Sequence, residues 1–197
     1  MDTNLLSSYI QIHNNVLADN VLTSFKKVCS NHESFKDGNV VNDSQKTENT
    51  NKKIRDTKIW PLVNSEDEKS YTNIHWCNLL LTMFNKYSVD YFKKYHPYRH
   101  NQADVIDIQV LKYNVGGHYE FHVDHSKMIP RTLSFIYLIN DDYEGGELIF
   151  ATPDFKNDLT IEKKKNTLIV WPSNFMYPHM VKPVTKGTRF SVVGWAL

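Results

Sequence analysis

The chain has only two cysteines, Cys29 and Cys77, and they stand far apart. That excludes a disulfide framework and a cysteine-built zinc site, and both read as reduced core residues. No stretch approaches the roughly 18 consecutive apolar residues of a membrane-spanning helix. The opening residues, MDTNLLSSYIQIHNN, lack the basic start and long apolar run of a signal peptide. A soluble, cytoplasmic protein is therefore expected. An excess of either charge is also missing: 23 Lys and Arg face 22 Asp and Glu, a formal net charge of +1. No electrostatic pull towards nucleic acid or anionic lipid follows from that balance. No internal repeat is evident.

What is present suffices for a substantial core, with 41% hydrophobic and 13% aromatic residues. A length of 197 residues suits one domain, or one domain with a helical extension. SYIQIH, residues 8–13, predicts a short strand. LADNVLTSFKKVCSN predicts a helix, with Asp19 as N-cap and Val21, Phe25 and Val28 or Cys29 on its apolar face. Residues 34–58 are mostly Asn, Asp, Lys, Ser and Thr and predict a loop, either an exposed insertion or a lid over a site. Ser65 and Glu68 form a capping box. Tyr71, Ile74, Cys77, Leu80, Leu81, Phe84, Tyr91, Phe92 and Tyr95 then keep helical spacing, as one long helix or two ending near Pro97. This aromatic stripe reads as packing surface.

From residue 104 the texture changes to short alternating strands separated by turns. DVIDIQVLKY, HYEFHVDH, RTLSFIYLIN, ELIFAT, NTLIVWP, YPHMVKPV and TRFSVVGWAL predict a β sandwich or barrel. The expected architecture is mainly β with N-terminal helices (α+β), a single domain over 1–197. Residues 1–103 supply helical support and 104–197 the β core.

Within that core, GGHYEFHVDH places three histidines and an aspartate in residues 116–125. Residues i and i+2 of a strand face the same way, about 6.6 Å apart. His122 and Asp124 therefore project together, with Val123 turned away. His118, at even spacing from His122, could share that face but lies nearly 13 Å along the strand at a rise of about 3.3 Å per residue. His125 points to the other side. A third ligand must come from elsewhere, and His179 in YPHMV is the only later histidine. Two imidazoles and a carboxylate on one octahedral face form the facial triad of non-haem Fe(II) oxygenases, with open positions for a chelating co-substrate and O₂. Ten residues past His179 stands Arg189, with Ser191 at i+2 on its face. A guanidinium fork in a β cavity suits a carboxylate held by paired hydrogen bonds, and Ser191 and Tyr113 could add donors. The set looks arranged for a small dicarboxylic acid.

YNVGGHYEFHVDH resembles the Tyr-x-x-Gly-x-x-Tyr-x-x-His-x-Asp segment of prolyl 4-hydroxylase-type 2-oxoglutarate/Fe(II)-dependent dioxygenases. RTLSFIYLINDDYEGGELIF is similar to that family's Arg-led strand and Gly-Gly-Glu turn, and PHMVKPVTKGTRFSVVGW to its closing segment. The resemblance covers about residues 104–197; the N-terminal half matches only as generic support. It implies a double-stranded β-helix (jelly roll) in which His122, Asp124 and His179 are catalytic and bind Fe(II). It implies that Arg189, Tyr113 and Ser191 hold 2-oxoglutarate, which is decarboxylated to succinate as O₂ is consumed and an unactivated C–H is hydroxylated. Ascorbate is expected as a helper, and a protein or peptide side chain, proline first, as substrate. Some prolyl hydroxylases place a tyrosine at the position of Leu138; here Tyr137 lies on the opposite face.

Two other readings compete. The same chemistry could act on a nucleic-acid base or a small metabolite. Base-repair relatives carry a second arginine six residues after the first, where this chain has Trp195, and a basic patch is missing. A non-catalytic β-barrel binding module would show a broken triad, and this triad is intact. His118 and His125 read as supporting or surface residues, and Trp195 as core. Loops 34–58 and 152–160 carry no legible substrate code.

Overall fold

A computed structural model of the chain describes residues 6–42, 47–63, 70–95, 104–156 and 158–197. The first half contains β1 (Gln11–Asn14), α1 (Asp19–Asn31), β2 (Lys36–Asp37), β3 (Val40–Asn42), β4 (Thr47–Asn49), β5 (Arg55–Asp56), β6 (Lys58–Pro61) and α2 (Tyr71–Tyr95). The second contains β7 (Val105–Tyr113), β8 (His118–His122), β9 (Leu133–Leu138), β10 (Glu144–Gly145), β11 (Leu148–Ala151) and β12 (Asp158–Thr160). It closes with β13 (Thr167–Pro172), β14 (His179–Val181), β15 (Val184–Lys186) and β16 (Arg189–Ala196).

All pairings are antiparallel. The larger sheet has seven strands in the order β1-β13-β9-β16-β7-β6-β2, and a second has five, β12-β11-β14-β8-β5. Two-stranded ribbons, β10-β15 and β3-β4, complete the set. The sheets are open at their edges and face one another in a jelly-roll arrangement. No helix among the described residues is long and apolar enough to cross a membrane.

Strand alternation explains the layering. Along β16, Phe190, Val192 and Ala196 join the apolar cluster that α1 and α2 cover. Val193 and Trp195 join a second cluster, with Leu148, Phe150 and Val181 of the smaller sheet. Both faces of the central strands are thus buried, which is why β9, Leu-Ser-Phe-Ile-Tyr-Leu, is almost continuously apolar. Each fully buried Leu, Ile or Phe side chain contributes about 1.5–3 kcal/mol. Gly194 is what lets α2 approach: a Cβ there would stand 2.6 Å from the ring of buried Phe84.

Several expectations change in detail. Asp19 is the first helical residue and not the cap. Ala18 occupies the N-cap in extended conformation without a side-chain bond, and the Asp19 carboxylate serves the helix dipole instead. The buried face of α1 is Leu22, Phe25 and Cys29 rather than one starting at Val21. The long apolar stretch is one 25-residue helix. Its exposed side includes Tyr71 and Ile74, while Trp76, Leu80 and Phe84 go inward. Segment 34–58 is not a plain loop. β2 pairs with β6, β5 pairs with β8, and β6 pairs with β7, so this polar stretch supplies edge strands to both sheets. The Ser65–Glu68 capping box and Pro97 lie outside the described residues.

Candidate metal centre

His122 ends β8, and His179 begins β14 directly opposite it in the ladder. Asp124 follows two residues after His122, past the end of the strand, where the backbone bends. One donor atom from each of the three lies within 4.8 Å of the others. His122 Nε2 is 3.6 Å from Asp124 Oδ1, and His179 Nε2 is 3.5 Å from Asp124 Oδ2. Two donors each about 2.1 Å from a common ion can be no more than about 4.2 Å apart. Both histidine–carboxylate separations, to different oxygens of Asp124, fall inside that limit, while the three donors together lie within 4.8 Å.

The remaining atoms of these side chains are committed elsewhere. His122 Nδ1 faces the Glu120 carbonyl at 2.8 Å and His179 Nδ1 faces that of Tyr177 at 3.1 Å. A carbonyl only accepts, so Nδ1 carries the proton in each ring and the Nε2 lone pair is left to face Asp124. Ser134 Oγ donates to Asp124 Oδ2 at 2.6 Å and contacts Ser173 Oγ at 2.8 Å. Burial, reinforced by neighbouring His179, pushes His122 down to about 3, which keeps the imidazole neutral. At Asp124 burial favours the neutral acid, but His179, His122, the Ser134 hydroxyl and Arg131 outweigh it and hold the carboxyl below its ordinary range. Two imidazoles presenting Nε2 and an ionised carboxylate are what a divalent metal requires.

The spacing argument for His118 fails for a physical reason. Across the β8–β14 ladder, Tyr119 to His122 spans three residues where Val181 to His179 spans two. This extra residue is a β-bulge, and it reverses the side-chain parity of β8. Tyr119 therefore comes to the His122 side, its ring 3.6 Å from the imidazole at 16°. His118 turns away to the carbonyls of Gly116 and Lys53. His125 stays outside the cluster, bonded to the Arg131 carbonyl.

Arg189 is fully buried, at 0% exposure. Its Nη1 donates to Ser191 Oγ at 2.7 Å and its Nε to the Gly146 carbonyl at 3.1 Å. Its guanidinium carbon lies 5.0 Å from the centre of the Tyr113 ring, its cross-strand partner. Gly146, at φ +66°, leaves room for this side chain, since a Cβ there would stand 3.1 Å from Arg189 Cδ. Nη2 is buried and makes no hydrogen bond, the Tyr143 phenol lies close enough to the guanidinium to interact with it, and among the described residues no carboxylate lies within ion-pair distance. A buried unpaired cation costs several kcal/mol in principle, so an anionic ligand is the natural complement. Tyr113 lines the same cavity of about 570 Å³ as the three metal-centre residues.

That cavity is also lined by Lys36, Asp37, Asn39, Ile54 and Arg55 from the polar segment. Arg131 stacks on Trp195, 3.8 Å from its centre, and both face the cavity, so Trp195 is core and wall at once. Leu138 packs on the cavity side, while Tyr137 reaches Asn166 on the other. Ser134, Tyr119, Arg131 and Arg55 had no role assigned from sequence. The contact of Ser134 with Asp124 is tertiary, so the strand pattern alone carries no signal for it.

Residues 108–197 match the family model of the 2OG-Fe(II) oxygenase superfamily. A PKHD-type hydroxylase of Gloeothece citriformis is 37% identical over 90 residues, 43% of this chain and 39% of that protein. The chain thus spans about two fifths of the length of the curated relatives it matches. In fold it is similar to a prolyl-4-hydroxylase of Pseudomonas putida, with a TM-score of 0.72 at 17% identity over 98% of this chain and 95% of that one. It is also similar to a prolyl hydroxylase from Trichoplax adhaerens in complex with a peptide fragment of the hypoxia inducible factor oxygen degradation domain. There the TM-score is 0.69 at 20% identity, over 98% and 86% of the two chains. The β core is thus similar in sequence to 2OG-Fe(II) oxygenases, and the fold of the chain is similar to that of prolyl hydroxylases.

Proposed function

We propose that the protein is a 2-oxoglutarate- and Fe(II)-dependent dioxygenase hydroxylating an unactivated C–H, most simply on a peptidyl side chain, with proline first. The whole chain would act as one domain, residues 1–103 supporting the core of 104–197. In this reading His122, Asp124 and His179 bind Fe(II). Arg189, with Ser191 and Tyr113, holds the far carboxylate of 2-oxoglutarate. The iron with its co-substrate supplies O₂ activation, succinate formation and C–H hydroxylation, and ascorbate would keep the metal reduced.

The protein's part is positional. Carbonyl bonds present both Nε2 atoms, and Ser134 orients Asp124. The observation that carries the reading is Arg189 Nη2, buried and unpartnered, in a fold where the His-Asp-His cluster is also assembled. A peptide substrate is supported by the peptide bound to the Trichoplax protein and by the cavity wall that the polar segment builds.

Succinate release from 2-oxoglutarate, measured with Fe(II) and ascorbate, tests the assignment. His179→Ala is expected to abolish it and His125→Ala to leave it. Equal loss in both variants would refute the ligand set. A mass-spectrometric search for gain of one oxygen atom across candidate peptides and metabolites decides the substrate class; oxygen gain confined to metabolites would replace the peptide reading.

A further inference from the structure

The two histidines of the cluster are held unequally. The His179 ring sits among core aromatics, with Trp171 at 5.0 Å and Phe150 at 5.6 Å, and its side chain is 7% exposed. His122 ends its strand and stays 18% exposed. Its Nδ1 bond goes to a carbonyl two residues back in the chain, as that of His179 does. The His122 ring has its centre 4.3 Å from that of the His179 ring and lies nearly parallel to the flat face of Tyr119 at 3.6 Å. This contact exists because of the bulge in β8: without the extra residue Tyr119 would face the other side.

Tyr119 has its own backing. Arg55 of β5 is its cross-strand partner, with the guanidinium carbon 4.7 Å from the phenol centre. Nη1 of Arg55 is fixed at 2.9 Å to the Asn39 carbonyl. The chain of contacts runs from the Asn39 backbone through Arg55 and Tyr119 to the imidazole. We propose that Tyr119, backed by Arg55, is the positioning residue that fixes the His122 ring for metal binding. The polar segment that wraps the cavity thereby becomes part of the metal centre's support. This rests on the reading of the cluster as a metal site.

Calorimetric titration of the full chain with Co(II), together with the visible absorption of the bound ion, tests the proposal. Tyr119→Leu should weaken Co(II) by about tenfold, the range for partners that orient a ligand, and alter the spectrum. Tyr119→Phe keeps the flat face and should stay within about twofold, a rescue that stacking predicts. Arg55→Met should fall between the two, and circular dichroism melts report folding. A folded Tyr119→Leu with wild-type affinity and spectrum overturns the proposal, as does a Phe variant as impaired as the Leu one. If Tyr119→Leu does not fold, unchanged Co(II) affinity in Arg55→Met overturns it instead. A wild-type protein that binds no Co(II) defeats the metal reading itself, which is a different result.

Discussion

The two faces of the seven-stranded sheet differ in what they bury. On the helix side β16 offers Phe190, Val192 and Ala196, with bare Gly194 against Phe84. With the opposite parity the same strand offers Arg189 and Ser191, then Val193 and Trp195, of which the last two line the cavity. One strand thus serves packing alone with one parity, and with the other both packing and the candidate site. Changes on one face should damage folding and spare binding, and changes on the other should do the reverse.

Asp124→Ala is the strongest test on the cavity side. Co(II) binding is expected to vanish in calorimetry while the melting temperature stays within about 3 °C of wild type. Gly194→Val should invert that pattern. Its Cβ would enter the Phe84 ring, and overpacking costs about 1–3 kcal/mol, read as a drop of about 2–4 °C per kcal/mol in a melt. The protein that stays folded should bind Co(II) normally.

Arg189→Met sharpens the contrast, because the native residue is a buried unpaired cation. Without ligand, the variant is expected to be more stable by about 1–2 kcal/mol in urea unfolding, the usual consequence of replacing buried charge with apolar volume. A less stable apo variant would mean that the guanidinium is already compensated.

The smallest effect lies outside both faces. Lys26 of α1 bonds Asp142 at 2.7 Å, and this bond, with that from Asn140, holds the Asp142 carboxyl below its ordinary range. The folded value is the depressed one. The contribution is therefore present above the unfolded carboxylate range and is lost as pH falls through the folded value. The pair is exposed, so solvent screening keeps Lys26→Met to about 0.5 kcal/mol or less near neutrality. The difference between wild type and variant should shrink in melts below about pH 4.

The division between faces was partly legible in the sequence. The i, i+2 rule correctly put Leu138 on one side of β9 and Tyr137 on the other, and paired Arg189 with Ser191. The grouping of His122 with Asp124 and His179 survives, although Asp124 lies past the strand end. What stayed hidden is tertiary. The bulge in β8 depends on pairing with β14, and it is what separates His118 from Tyr119. β5 is two residues of polar composition, and only the neighbouring edge of β8 makes it a strand. Local pattern carries no signal for either.

The central claim is that Arg189 keeps a buried donor open for the far carboxylate of 2-oxoglutarate while His122, Asp124 and His179 hold the metal. Titrating 2-oxoglutarate into the Co(II)-loaded wild type and Arg189→Met tests it most directly. Affinity should fall by about 30-fold or more in the variant, the cost of removing one partner of a buried charge pair, with Co(II) affinity unchanged. Equal affinity in the two proteins would contradict it.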